Sequence, residues 1–209
     1  MRWIQKGAPP PELTAWLHAN PKGVYNDLNT TLTGRNVRRA IRCAALAEQG
    51  CLCAYCCARI DGSTSHNEHV VPQSADRSRT TDFTNIVASC NARNQCGDAH
   101  KNQQLPLTPL NTRCKTDLQY FLSGRVKGTT QDAKETIRIL KLDGRSLRGI
   151  RKSMVDTLIY VPSETLEGLH LLDDDLLEIL RDDMQRDGDE GCLSPYGPIL
   201  ANIIDQLLT

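Results

Sequence analysis

Residues 65–74 read SHNEHVVPQS and place His66, Glu68 and His69 within four positions of one another. The whole chain contains only five histidines in 209 residues, so two of them beside one carboxylate form a concentrated group. Histidine can remove a proton from water near neutral pH, and a neighbouring carboxylate can hold a divalent cation. The segment is therefore a candidate for metal-assisted hydrolysis, and a solvated polar strand edge is the alternative.

Cysteine usage supplies a second group of candidate ligands, since six of the nine cysteines fall between residues 51 and 96. Four thiolates from two separated turns are the set that structural zinc takes. The second pair has five intervening residues instead of two, so Cys51 or Cys57 could replace a neighbour. An odd cysteine count without a secretion signal argues against a disulfide framework, with buried free thiols or a redox pair as alternatives. The predicted zinc ligands are Cys53, Cys56, Cys90 and Cys96.

The residues between the two cysteine pairs resemble the HNH, or ββα-metal, endonucleases. The order Glu68-His69, Pro72, Asn85 and Lys101 carries this resemblance over residues 53–101. In that family an acid–His pair lies on the second strand of a hairpin, an Asn stands in the loop, and a helix follows. In many members four cysteines bind zinc and clamp the hairpin to the helix.

The resemblance implies a role for each matching residue. His69 is expected to be the general base, and Glu68 is expected to bind the catalytic cation, Mg²⁺ or Mn²⁺. Many family members carry Asp where this chain carries Glu68, so strand geometry must absorb one extra methylene. Asn85 matches the Asn that braces the loop and orients the histidine.

The second ligand of the catalytic cation is open, because position 97, just after the last zinc cysteine, is Gly. A helix that begins near Cys96 would present candidate ligands inward. His66 could assist, although a solvent-facing strand position is expected for it. The favoured candidates are His100 and Asp98, and the alternatives are Asn91 and Asn94.

Charge is unevenly distributed along the chain although the formal net charge is zero. Residues 1–162 hold 23 Lys and Arg against 13 Asp and Glu, whereas residues 163–209 hold 2 against 12. A basic body suits a polyanionic partner such as nucleic acid, and an acidic end would repel one. No apolar run reaches the length of about 18 residues that a membrane span needs. A cytoplasmic location is the expectation.

The pattern predicts helices on both sides of a small cysteine-rich unit, and the resemblance implies that this unit is a zinc-bound ββα unit, so the expected fold is α+β. Three regions are predicted: an N-terminal helical segment (1–50), the HNH core (51–105), and a C-terminal helical region (106–209) that includes the acidic tail 163–209. Short strands are expected around 58–60 and 69–71, separated by an Asp61-Gly62 turn. Helical spacing predicts two buried stripes, Val37, Ala40, Ile41 and Ala44, then Leu147, Ile150, Met154 and Leu158.

A narrower resemblance covers most of residues 1–160. Five stretches are similar to the PtuB-like family, the HNH subunits of Septu and some retron anti-phage systems: MRWIQKGAPPPEL, AEQGCLCAYC, NEHVVPQS, SCNARNQCGDAHK and TIRILKLDGRSLRGIRK. This resemblance implies an ABC/SMC-like ATPase partner of the PtuA type. In retron systems it also implies a reverse transcriptase with its msDNA. The nucleic acid substrate is DNA or RNA.

Two other function classes stay open. A zinc-organised binding module for nucleic acid or a partner would need the four cysteines but not His69. A stand-alone restriction or homing-type HNH enzyme would cut specific sequences without an ATPase, but the chain shows no evident base-reading module.

Overall fold

The computed structural model describes residues 1–157, 174–186, 188 and 191–208. Its two antiparallel sheets each have two strands, β1 (Ser65–His69) with β2 (Ile86–Cys90) and β3 (Leu118–Tyr120) with β4 (Val126–Gly128). Within these residues, no helix is both long and apolar enough to cross a membrane. The helices are α1 (Pro11–Ala19), α2 (Leu32–Glu48), α3 (Cys96–His100), α4 (Gln131–Leu140), α5 (Arg145–Val155), α6 (Asp174–Gln185) and α7 (Gly197–Asp205).

Helix α2 carries the first predicted apolar stripe and begins at Leu32, after a capping residue. The Thr31 hydroxyl accepts a hydrogen bond from Gly34 N at 3.0 Å, which caps the first turn. Val37 and Ile41 are buried as predicted, and the stripe continues through Ala45 rather than Ala44. Gly50 has a φ of +56°, a left-handed conformation that suits glycine just after a helix.

The hairpin that carries the candidate site differs from the predicted one. The expected strand at 58–60 is reduced to a single bridge between Leu52 and Arg59, and β1 instead pairs with the later strand β2. The acid–His pair therefore lies on the first strand, with Glu68 opposite Val87. Asp61 is not in a hairpin turn between two strands. Its carboxylate instead accepts hydrogen bonds from the backbone N–H and hydroxyl groups of Ser63 and Thr64, just before β1.

Strand β2 is fixed to α2 through one buried side-chain amide. Gln49 accepts a hydrogen bond from Ala88 N at 2.7 Å and donates to Ala88 O at 2.9 Å, as a neighbouring strand would. The same amide donates to Leu52 O at 2.7 Å. Gln49 thereby ties the helix, the first cysteine turn and the strand that ends at Cys90 into one frame.

The region after residue 106 is less helical than predicted, because it contains the β3–β4 hairpin. In α5 the predicted face is also rotated: Ile150 is 41% exposed, while Arg151 is 1% exposed. The Arg151 guanidinium donates to Gly124 O at 2.7 Å and to Leu142 O at 2.9 Å, so its burial is compensated by two carbonyls. Leu158 lies outside the described residues.

The described residues of the acidic C-terminal segment pack against the rest of the protein. Cys192 forms a disulfide with Cys51, contrary to the expectation that the cysteines serve metal binding. Leu193 N donates to Gly50 O at 3.1 Å, and Tyr196 N donates to Cys57 O at 2.8 Å. Helix α7 contributes core side chains: Ile199, Leu200, Ile203 and Ile204.

Candidate active site

The structure brings together the four predicted cysteines in one buried group. The sulfur atoms of these residues all lie within 4.8 Å of one another. Zinc–sulfur bonds of about 2.3 Å in a tetrahedron place sulfurs about 3.8 Å apart, so the group could hold such an ion after small shifts. The two alternatives raised by the spacing stand outside this group, since Cys51 is in the disulfide and Cys57 is a separate free thiol. The group is Cys53, Cys56, Cys90 and Cys96.

Tight backbone turns aim these sulfurs inward. Cys57 N donates to Cys53 O at 3.0 Å, and Cys57 itself has a φ of +61°. Cys90 N donates to Cys53 Sγ at 3.3 Å across the two halves of the group. Cys96 also has a positive φ, +53°, at the start of α3. The cysteine group therefore fixes α3 against β2.

Glu68 is the centre of a contact between β1 and α3. His100 Nδ1 donates to Glu68 Oε1 at 2.6 Å, and His66 Nε2 lies 3.4 Å from Glu68 Oε2. His66 and Glu68 share one face because side chains two positions apart on a strand point the same way. Burial raises the pKa of Glu68, but the hydrogen bonds and charges of the two histidines outweigh it and hold this pKa below its ordinary value.

His66 is partly exposed to solvent, as expected from the sequence, and it also contacts Glu68. Its side chain is 37% exposed, and its Nδ1 lies 3.0 Å from Asn91 Oδ1. The hydrogen bond to Glu68 is the main reason why the pKa of His66 lies above its ordinary value.

Gly97 explains how α3 comes so close to β1. A Cβ atom at this position would lie 2.6 Å from His66 Nε2, 2.9 Å from Glu68 Oε2 and 3.0 Å from Ser89 Oγ. Gly97 N also donates to Ser89 Oγ at 3.1 Å. The glycine therefore supplies no ligand but leaves a polar cradle, lined by nitrogen and oxygen atoms, that any other side chain would fill.

The structure separates the two favoured candidates for the second metal ligand. His100 is fully buried, and its Nε2 has no hydrogen-bond partner among the described residues. Asp98 is exposed, and its carboxylate accepts from Asn94 N at 2.6 Å instead of facing Glu68. The expectation that α3 presents both residues inward is met by His100 alone, because the two positions lie on different sides of the helix.

His69 lies at the end of β1 and is 7% exposed. Its Nε2 donates to Thr80 O at 2.8 Å, which leaves Nδ1 as an acceptor, 3.3 Å from the amide nitrogen of Gln73. Burial is the main cause that holds the pKa of His69 below its ordinary value, and the charge of Arg38 acts in the same direction. Both effects favour the neutral imidazole, the form that can accept a proton.

Asn85 braces the loop between β1 and β2. Its side-chain oxygen accepts from Val71 N at 2.8 Å, and its amide nitrogen donates to Val71 O at 3.0 Å and Arg79 O at 3.3 Å. The same loop carries Thr80, the partner of His69. Asn85 therefore acts on the histidine through the loop rather than by direct contact.

Tyr25 is a site residue that the motif did not reveal. It comes from a short 3-10 helix before α2, Tyr25–Asn29, and its ring meets the His69 ring edge-on with centroids 4.7 Å apart. Its hydroxyl accepts from Asn67 Nδ2 at 2.8 Å. No local sequence signal connects Tyr25 to His69, since the two residues are brought together by the packing of α2 on the hairpin.

No protein-family model matches the chain. Its sequence is 25% identical over 152 residues to a protein of Vibrio cholerae serotype O1 biovar El Tor named "Retron Vc95 putative HNH endonuclease". The alignment covers 66% of this chain and 74% of the relative. The name of this relative includes HNH, the family that the Glu68-His69 segment resembles. It does not mention the narrower PtuB-like group.

Proposed function

We propose that this protein is a metal-dependent HNH endonuclease that hydrolyses phosphodiester bonds of nucleic acid. The observation that carries the proposal is the arrangement of Glu68 between His66 and His100, next along the strand to a neutral His69. Such a set offers a base for water and a carboxylate–imidazole site for a cation within one small frame. The likeness to a protein named as a retron HNH endonuclease supports the same function.

His69 is the proposed general base. Its Nε2 proton is committed to Thr80 O, so Nδ1 is the atom that would take a proton from the attacking water. Gln73, the present neighbour of Nδ1, stands on the loop and would yield this place to water or substrate. Asn85 and Tyr25 hold the loop and the ring and therefore set the direction of the base.

Glu68 would hold Mg²⁺ or Mn²⁺ through its carboxylate. His66 and His100 are the imidazoles next to that carboxylate and would complete the site. The cradle beside Gly97 fits a site that gains ligands when the cation binds, and Nδ1 is the nitrogen of His100 that faces Glu68. When bound, the cation would stabilise the negative charge that develops on the phosphate oxygens. The four-cysteine group would hold a structural Zn²⁺ that fixes α3 and therefore His100.

The narrower assignment, a PtuB-like nuclease subunit under the control of an ABC/SMC-like ATPase in an anti-phage system, is a further part of the proposal. The retron designation of the relative supports the defence setting, with a reverse transcriptase and its msDNA as additional partners. A cytoplasmic location suits such a complex. DNA and RNA are both retained as substrate classes.

The test is incubation of the zinc-loaded protein, alone and with a neighbouring ATPase subunit, with plasmid, single-stranded DNA and bulk tRNA. We expect Mg²⁺ or Mn²⁺ to support cleavage of one substrate class and Glu68→Gln to abolish it. The matched control is Asp98→Asn, an exposed carboxylate on α3, which should cleave like the wild type. Binding of nucleic acid without metal-dependent cleavage would overturn the proposal and favour a binding module. Sequence-specific cutting without any ATPase would favour a restriction-type enzyme.

A further inference from the structure

Tyr25 supports His69 and the loop at the same time. Tyr25 as a whole is 4% exposed, and its ring packs edge-on against the imidazole, at an angle of 86°. Its backbone N–H donates to Thr80 Oγ1 at 3.4 Å, while Thr80 O accepts from His69. A group fixed to Tyr25 is therefore fixed relative to the proposed base.

Arg38 is such a group. Its Nε donates to the Tyr25 hydroxyl at 3.3 Å, its guanidinium carbon lies 5.2 Å from the centroid of the Tyr25 ring, and its Nη1 donates to Asn29 Oδ1. Its own carbonyl accepts from Asn67 Nδ2, on β1, at 2.9 Å. Both the side chain and the backbone of Arg38 are thus fixed beside the end of the strand that carries His69.

The charge of Arg38 has no acidic partner within the part of the chain that the structure describes. Other arginines are neutralised, for example Arg79 by Asp82 at 3.0 Å and Arg113 by Asp117 at 2.8 Å. Over residues 1–157, 174–186, 188 and 191–208, Arg38 takes part in no ion pair. An ordered guanidinium without a carboxylate is suited to bind a phosphate, because its planar set of donors matches the phosphate oxygens.

Arg42, one turn further along α2, binds backbone carbonyls instead of contacting Tyr25. Its Nη1 donates to Gly62 O at 2.9 Å and Ser65 O at 3.0 Å and so holds the turn before β1. Arg39 is exposed and makes no side-chain hydrogen bond or ion pair with the described residues. Of these neighbouring arginines, Arg38 alone is both ordered and placed beside His69.

The geometry points to Arg38 as a substrate-binding residue that contacts a backbone phosphate of the nucleic acid next to the phosphodiester attacked by the His69-activated water. This inference rests on the proposed function and deepens it. It extends the site beyond residues 53–101 to helix α2. Because phosphate contacts carry affinity rather than sequence information, Arg38 would contribute equally on every sequence.

The test compares Arg38→Gln, Arg38→Lys and the control Arg39→Gln in a His69→Ala background that does not cleave. The probes are labelled single-stranded DNA, a DNA duplex and tRNA, and their binding is measured as a function of salt. We expect Arg38→Gln to weaken binding of the substrate class about tenfold or more. It should also reduce the salt slope by about 0.7 to 0.9, the value for one lost phosphate contact. Arg38→Lys should recover most of the slope, and Arg39→Gln should change little.

The rival role for Arg38 is a structural support for Tyr25. In that case Arg38→Gln and Arg38→Lys, made in the protein that keeps His69, would both perturb the His69 ring resonances in NMR spectra. In the His69→Ala background they would leave the salt slope at its unsubstituted value, and this pair of results would overturn the inference. In the cleaving protein, a raised KM with little change in kcat supports phosphate binding, and the reverse pattern contradicts it. Binding that depends on Arg38 while the wild type cleaves no substrate would retain the phosphate contact of Arg38 and overturn the nuclease proposal.

Discussion

The Nε2 atom of His69 donates its hydrogen to the backbone carbonyl of Thr80 across 2.8 Å. A carbonyl can only accept, so the proton must be on Nε2, and the neutral ring carries its lone pair on Nδ1. The loop that contains Thr80 thus selects the tautomer of the ring, and Asn85 holds that loop by three hydrogen bonds. A base that acts through Nδ1 needs this tautomer.

Gly97→Ala should damage the site although it changes one hydrogen to a methyl group. The new Cβ would lie 2.6 Å from His66 Nε2 and 2.9 Å from Glu68 Oε2, so either α3 or these side chains must move. We expect Mn²⁺ affinity to fall about tenfold or more. Isothermal titration of the zinc-loaded protein measures this.

The control for that substitution is Gly149→Ala, on the exposed side of α5, where a Cβ would meet nothing within 4 Å. Alanine is the better helix former, so this variant should be more stable by about 0.5–1 kcal/mol and bind Mn²⁺ like the wild type. Equal Mn²⁺ affinities for the two variants would show that the space beside Gly97 is not part of a cation site.

Glu68, His66 and His100 should each contribute to binding of the catalytic cation. We expect Glu68→Gln to remove detectable Mn²⁺ binding, and His66→Ala and His100→Ala each to weaken it about tenfold or more. Electron paramagnetic resonance of bound Mn²⁺ is the direct measurement. Asp98→Asn should bind normally, and a loss of affinity in that variant alone would restore the ligand set expected from the sequence.

The cysteine group should hold one structural zinc ion per chain. We expect Cys56→Ser to lose zinc and to lower the unfolding temperature strongly, since a structural zinc site contributes directly to folding. Cys43→Ser, at an exposed free thiol, should keep both properties. Elemental analysis together with thermal denaturation tests this, and a Cys56→Ser protein with full zinc content would contradict it.

Local patterns in the sequence were enough to find the four-cysteine group and helix α2. The pair Cys53 and Cys56 lies within one turn, and the apolar spacing of α2 is a property of one segment. Cys90 and Cys96 are also close in sequence, with five residues between them. The strand pairing was not predictable in this way, because the partner of β1 begins 17 residues after its end, at Ile86 rather than at 58–60.

The unpredicted parts of the site depend on contacts between distant segments. Tyr25 precedes His69 by 44 positions, and only the packing of α2 on the hairpin brings them together. The position of His66 depends on the close approach of α3 that Gly97 permits. The burial of Arg151 in place of Ile150 requires two backbone carbonyls from separate loops, which no helical periodicity can indicate.

Thiol reactivity should differ sharply between Cys114 and Cys43. Burial is the main cause that raises the pKa of the Cys114 thiol to about 11, so its thiolate fraction at pH 8 is only about one in a thousand. Cys43 is exposed. Iodoacetamide at pH 8, followed by peptide mapping, should modify Cys43 first, and Cys114 should become reactive only as the pH rises towards 11.

The same experiment also tests the disulfide and the sign of the pH effect. Cys51 and Cys192 should be labelled only after reduction. Because the folded state raises the pKa of Cys114 above its ordinary value of 9.0, the stability that its buried neutral thiol contributes is lost as the pH rises above 9.0. Labelling of Cys114 as fast as Cys43 at pH 8 would show that it is not buried in solution.

The most direct test of the central claim is the rate of metal-dependent cleavage by His69→Ala, compared with the wild type and with His18→Ala. His18 is an exposed histidine on α1, so its variant controls for the loss of an imidazole elsewhere. We expect His69→Ala to retain zinc and its fold while cleavage falls by a factor of about 100 to 10,000, and His18→Ala to cleave like the wild type. Equal cleavage rates for His69→Ala and the wild type would contradict the assignment of His69 as the base and, with it, the proposed catalytic site.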